Sequence, residues 1–147
     1  MREKINQFLS CKKFAIAGVS RQKNKFGNVI YRTLKKKDYD IAPVNPYLDE
    51  FEGDKCYRSV RDLPGDIEAI IISANPVVSL AVLTEAREKG IQNVFLQQGA
   101  HSDKILNYAR DNGVNIIYKQ CILMFANPGG IHKLHASLAK LFGFYPN

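Results

Sequence analysis

The stretch Phe14-Ala15-Ile16-Ala17-Gly18-Val19-Ser20-Arg21-Gln22-Lys23-Asn24-Lys25-Phe26-Gly27 decides the fold. Its first four residues form a short apolar run, of the kind that makes a strand buried on both faces of a parallel sheet. Gly18 ends that run. From Gly27 onward, Val29, Ile30 and Leu34 recur at helical spacing, with lysines and arginines on the opposite face. A buried strand, a glycine turn and an amphipathic helix are the first half of a β-α-β unit, which calls for a parallel neighbour.

The rest of the chain repeats the alternation. Asp40–Val44 reads as a second strand, stopped by Pro43 and Pro46 together. Pro43 belongs near that strand's end, because proline is awkward inside a central strand. Between Asn45 and Leu63 the pattern weakens to a loop with one short helical turn. Glu68–Ser73, with Ile70, Ile71 and Ile72 in succession, is a third strand. Asn75-Pro76 opens a helix that runs to about Lys89, with Val78, Val82, Leu83 and Ala86 on one face and Gly90 as its stop. Asn93–Leu96 and Val114–Tyr118 are the fourth and fifth strands. Between them lies a helix from Ser102, its cap, to Asn112, ended by Gly113. A short helix is expected within residues 1–12, and an amphipathic one over Ile131–Phe142 inside the terminal segment 130–147.

This order predicts an α/β protein: a Rossmann-like, three-layer α/β/α fold around a five-stranded, mainly parallel sheet. With 147 residues and no linker, repeat or low-complexity stretch, residues 1–147 read as one domain. The longest apolar stretch, Ile67–Leu83, is interrupted by Glu68, Ser73, Asn75, Pro76 and Ser79, so no membrane span is expected. The amino terminus lacks the apolar core and cleavage site of a secretory leader, which makes the cytoplasm the expected compartment. Cys11, Cys56 and Cys121 are odd in number and widely spaced, which argues against a disulfide framework or a zinc site.

The net charge of +7 calls for an anionic partner or a basic surface. Arg21, Lys23, Lys25, Arg32, Lys35, Lys36 and Lys37 cluster, whereas acids gather at Asp49–Asp54 and Asp62–Glu68. No nucleic-acid motif accompanies the basic cluster, so a small polyphosphate is the more economical partner. Ligands of open parallel sheets bind at the carboxyl ends of the strands. That rule selects four loops: 18–27, 45–47, 73–76 and 97–100.

In the first loop, amide N–H groups and the positive end of a helix suit a phosphate. Gly18 lets the chain turn, Ser20 offers a hydroxyl, and Lys23 and Lys25 offer charge-assisted contacts. The loop is neither G-x-G-x-x-G nor a Walker-type phosphate loop. An NAD site also wants an acid at the end of strand two. Here that end is Val44-Asn45-Pro46, and Asp40 falls at the strand's beginning.

Several blocks, taken in order, carry a resemblance. They are Ala17-Gly18-Val19-Ser20, Lys25-Phe26-Gly27-Asn28, Pro43-Val44-Asn45-Pro46, Gly53-Asp54-Lys55-Cys56-Tyr57, Gln97-Gln98-Gly99 and Cys121-Ile122. The chain resembles the small stand-alone CoA-binding proteins, themselves similar to the nucleotide-binding domain of succinyl-CoA synthetase α subunits and ADP-forming acyl-CoA synthetases. The likeness runs from about Lys13 to Ala126. It implies coenzyme A or an acyl-CoA across the carboxyl edge of the sheet. Gly18, Val19 and Ser20 would take a phosphate, with Lys25, Phe26 and Gly27 beside it. Asn45 and Pro46 would border the adenosine side, Ser73, Ala74 and Asn75 the middle of the ligand, and Gln97, Gln98 and Gly99 the pantetheine side. Many relatives carry two adjacent prolines after strand three, where this chain has Ser73-Ala74-Asn75-Pro76.

The resemblance to the synthetases implies a histidine phosphorylated on a second domain, which a chain of 147 residues is not expected to contain. His132 and His135 lie three apart on the last predicted helix and share a face, yet no further ligand at metal spacing accompanies them. Cys121 follows the fifth strand without an activating base, and Ser20 has no paired histidine. No set of nucleophile, base and orienting group can be assembled, so the chain alone reads as non-catalytic. Three readings stand at this point. The first is a CoA-binding module, as a homo-oligomer through its apolar last helix or as the partner of an acyl-CoA enzyme. The second is an NAD(P)-binding protein or reductase. The third is a regulatory protein that holds nucleic acid on the lysine-rich helix.

Overall fold

A computed structural model describes residues 1–126 of the chain. Five strands form the main sheet: β1 (Lys13–Ala17), β2 (Asp40–Val44), β5 (Ala69–Ile72), β6 (Asn93–Gln97) and β7 (Asn115–Gln120). They lie in the order β2-β1-β5-β6-β7 and every pairing is parallel. The fold is therefore α/β with helices on both faces, as the alternation predicts. Helices α1 (Arg2–Ser10), α2 (Phe26–Lys36) and α5 (Leu123–Ala126) cover one face, and α3 (Pro76–Lys89) and α4 (Asp103–Asp111) cover the other.

Alternation along each strand feeds two cores. Phe14 and Ile16 of β1 join Ile71, Phe95 and Ile117 under Ile30, Tyr31 and Leu34 of α2. Ala15 and Ala17 join Ile70, Ile72, Val94 and Leu96 under Leu83 and Ala86 of α3. Each large side chain so buried stabilises the fold by about 1.5–3 kcal/mol. Aromatic contacts fasten α1 to the sheet, with Phe8 ring centroids 5.3 Å from Phe14 and 5.6 Å from Phe95. Pro43 lies within β2, and β2 is an edge strand, where a missing N–H is tolerated.

The segment after β2 holds more structure than a loop with one helical turn. It contains a hairpin of β3 (Glu50–Phe51) and β4 (Asp54–Lys55), then a 3-10 turn over Val60–Asp62. Glu52 and Gly53 both take positive φ, 47° and 87°, as a two-residue type I′ turn demands. Each hairpin strand is two residues long, too short to show a period. The hairpin also accounts for two residues of the basic cluster. Arg32 Nε bonds Glu52 Oε1 at 2.8 Å, and Lys35 pairs with Asp54. Helix α2 runs back from the carboxyl edge, so Lys35, Lys36 and Lys37 stand at the amino edge of the sheet, away from the loops that would hold a phosphate. Arg32 and Lys35 of this helix thus serve the hairpin. The predicted helix over 131–142, with His132 and His135, lies outside the described residues. Among the described residues no helix is long and apolar enough to cross a membrane.

Candidate functional site

The winding of the sheet reverses between β1 and β5: α2 leaves the end of β1 toward one face, and α3 leaves the end of β5 toward the other. The gap between these exits is the crevice in which open α/β sheets bind ligands. Two cavities occupy it. One, of about 280 Å³, lies between the ends of β1 and β2, the Arg58–Val60 segment and α3, and is lined by Val44, Asn45, Pro46, Val78 and Val82 among others. The second, of about 240 Å³, is lined by Lys25, Phe26, Gly27, Ser73, Asn75, Gln98 and Gly99 among others. Gly18 and Ala74 line both, so the two are halves of one trough across the carboxyl edge.

Gly18 sits at the ridge with φ 133°, and a Cβ there would lie 2.9 Å from the carbonyl carbon of Ser73 and closer still to its oxygen. A Cβ on Gly27 would overlap the Gly18 carbonyl and lie 3.1 Å from the Val19 nitrogen. Both glycines therefore answer first to the approach of protein backbone to protein backbone. The start of α2 is thereby pressed against the end of β1, with its amino terminus at the trough. No side chain caps α2, and its first turn carries no acid, so its positive end is not neutralised locally.

The amide side chains near the trough brace its walls. Asn28 is 1% exposed. Its Oδ1 accepts from Ser20 N at 2.8 Å, and its Nδ2 donates to Ser20 O at 2.8 Å and Gln22 O at 3.0 Å. Asn45 Nδ2 donates to Val19 O at 2.8 Å, while its Oδ1 accepts from Tyr47 N at 2.7 Å. Asn75 caps α3, its Oδ1 accepting from Val78 N at 2.9 Å. The β6–β7 ladder slips between Phe95 and Gln97, and the buried Gln97 accepts from Ile122 N at 3.2 Å. Gln97 thus braces the segment after β7, and Gln98 and Gly99 line the crevice. Ser20 Oγ accepts from Gln22 N at 3.2 Å, and Lys23 and Lys25 are exposed beside it.

The geometry adds residues that the sequence did not single out. Arg58 lines the larger cavity, held by two bonds to Asp49 at 2.7 and 3.1 Å, and this pairing draws the Asp49 carboxyl below its usual range. Ser59 and Glu85 line the same cavity. They come from the segment after the hairpin and from α3, so no sequence spacing joins them. Asn28 did leave a signal: it shares the apolar face of α2 with Tyr31 and Leu34.

Cys121 is buried, and burial pushes its thiol up, partly offset by hydrogen bonds from Gln97 and the Leu123 and Met124 amides. Among the described residues no three His, Cys, Asp or Glu side chains converge as a metal site would need.

The CoA binding domain family matches residues 12–127, the whole sheet and both halves of the trough. The chain belongs to that family. It is 33% identical over 133 residues to an ADP-forming acetate–CoA ligase of Methanocaldococcus jannaschii, covering 89% of this chain but 19% of that protein. The chain therefore spans about a fifth of that relative's length. Small solved structures match over most of their own length. A conserved hypothetical protein from Pyrococcus furiosus is 41% identical with a TM-score of 0.75, covering 77% of this chain and 97% of that one. A hypothetical protein from Pyrococcus horikoshii is 28% identical with a TM-score of 0.77, covering 84% and 88%. This CoA-binding domain shares with them the parallel sheet whose carboxyl edge carries the trough.

Proposed function

We propose that this chain binds coenzyme A or an acyl-CoA along the trough, without catalysing a reaction on its own. The observation that carries the reading is the continuity of the two cavities through Gly18 and Ala74. A long ligand with a nucleotide at one end and a flexible arm at the other needs such a divided groove. The adenosine portion lies in the cavity of Asn45 and Pro46. The pyrophosphate crosses Gly18, Val19 and Ser20 at the positive end of α2, where Lys23, Lys25, Phe26 and Gly27 flank it. The pantetheine arm passes Ser73, Ala74 and Asn75 toward Gln98 and Gly99, with Gln97 bracing the wall behind.

The binding reading is supported by what the polar groups already do. Ser20 Oγ is engaged by its own loop, and Cys121 is buried with its thiol raised. The likeness to part of an acetate–CoA ligase makes an acyl-CoA enzyme the natural partner, with the chain presenting the thiol end of the ligand to it. Thermal-shift and calorimetric titrations with CoA, acetyl-CoA, NADPH and short duplex DNA test this. Stabilisation by CoA and acetyl-CoA is expected. Stabilisation by NADPH or DNA with none by CoA overturns it.

A further inference from the structure

The larger cavity is not uniform. Val78, Val82 and Glu85 recur at i, i+4 and i+7 on α3 and present one face of that helix to it, opposite Val44 and Val60. The apolar walls suit a flat ring. Among them stands one carboxylate, Glu85, whose Oε2 accepts from Ser59 Oγ at 3.2 Å. Among the described residues no lysine or arginine pairs with Glu85, since Arg58 is held by Asp49 and Arg61 by Glu88. Ser59 Oγ also accepts from Arg61 N as the cap of the 3-10 turn, so its proton is committed to Glu85 and fixes that side chain in place.

Resting on the coenzyme A reading, we propose that Glu85, positioned by Ser59, is the residue that selects adenine. A carboxylate only accepts hydrogen bonds. Adenine presents an exocyclic amino group, a donor, at the ring position where hypoxanthine and guanine present a carbonyl oxygen. A base with the carbonyl sets acceptor against acceptor at that position, and its nearest donor, the ring N1–H, is displaced from a carboxylate that Ser59 holds in place. Arg58, on the same cavity, bonds Asp49 through Nε and Nη2 and so offers a phosphate on the ribose the donors of its Nη1. Cation, apolar walls and acceptor together match a phosphorylated adenosine and disfavour its oxo analogues.

The test uses the full chain and two probes, adenosine 3′,5′-bisphosphate and inosine 3′,5′-bisphosphate, titrated by calorimetry beside CoA. The adenosine probe is expected to bind at least about tenfold tighter than the inosine probe. Glu85→Gln keeps an acceptor for Ser59 and can turn either amide atom to the base, so it should bring the ratio to within about threefold. A merely structural Glu85 would weaken both probes together and leave the ratio unchanged. CoA binding with no discrimination between the probes, or with a ratio that Glu85→Gln does not move, overturns this assignment alone. Failure of the unsubstituted chain to bind CoA overturns the ligand reading and this assignment with it.

Discussion

Gly27 rests directly on the carbonyl group of Gly18, so the first turn of α2 and the end of β1 meet backbone to backbone. Gly18 in turn meets the Ser73 carbonyl at the end of β5. Three elements that would otherwise be spaced by side chains are thus drawn together at the ridge of the trough.

A methyl group at either glycine has backbone on the other side and no flexible neighbour to yield. Gly27→Ala and Gly18→Ala are each expected to destabilise the fold by about 2–4 kcal/mol, the Gly18 change also forcing a side chain into positive φ. Urea unfolding measures the loss. Wild-type stability for Gly27→Ala would show that α2 can shift away from β1.

Asn28 makes three hydrogen bonds to the loop from a fully buried position. Asn28→Ala leaves two carbonyls and one amide of the loop without that partner, a loss of about 2–4 kcal/mol together with CoA affinity. Asn28→Asp should be no better, because a carboxylate would face the Ser20 and Gln22 carbonyls. Chemical denaturation and calorimetry on the two variants check both statements.

Asn75 separates two roles. Asn75→Ala removes the cap of α3 and is expected to lower stability by about 1 kcal/mol. Asn75→Asp preserves the cap but places a negative charge on the trough, so its melting temperature should hold while CoA binds several-fold more weakly. Equal CoA affinity for wild type and Asn75→Asp would remove Asn75 from the ligand's path.

The lysines divide by position rather than by number. Lys25 lines the smaller half of the trough and Lys23 lies in the same loop, whereas Lys36 and Lys37 stand at the amino edge. Replacing the first pair by Ala should weaken CoA binding about tenfold at low salt, and the gap should shrink as salt rises. Replacing the second pair should change nothing measurable in the same titration.

Burial pushes up the thiols of Cys11, Cys56 and Cys121. An unfolded chain therefore releases these protons at lower pH than the folded one. Their contribution to stability is intact below the ordinary thiol range and falls as pH climbs through it toward the raised folded values. Denaturation curves from pH 7 to 10 should show this decline, diminished in a Cys121→Ser variant. Maleimide labelling of the native protein should reach Cys11 before Cys56 or Cys121, since only Cys11 is partly exposed.

The sheet was readable from sequence because its central strands β1 and β5 are apolar runs closed by a turn residue, at Ala17-Gly18 and Ile72-Ser73. Asp40–Val44 was legible to the residue, proline included. The β3–β4 hairpin was not, since two-residue strands leave no periodicity and its acids read as a charge cluster until Arg32 and Lys35 were found opposite them. The loops of the trough were legible through the rule for parallel sheets. The tasks of Asn45, Asn75 and Gln97 were not, because an amide looks the same in sequence whether it faces a ligand or a neighbouring backbone. Glu85 and Ser59 meet only through the packing of α3 on the 3-10 turn, a relation that no local pattern encodes.

The amide braces have a consequence for how the trough is filled. Asn28, Asn45, Asn75 and Gln97 tie the loops around it by hydrogen bonds within the protein itself, so the placing of those loops does not depend on contacts from a ligand. A ligand meeting walls that need no rearrangement loses little entropy to ordering them, and its capture is limited by encounter rather than by refolding. On the proposed coenzyme A reading, the long, floppy molecule would conform to the protein, and its far end would emerge in the same place each time.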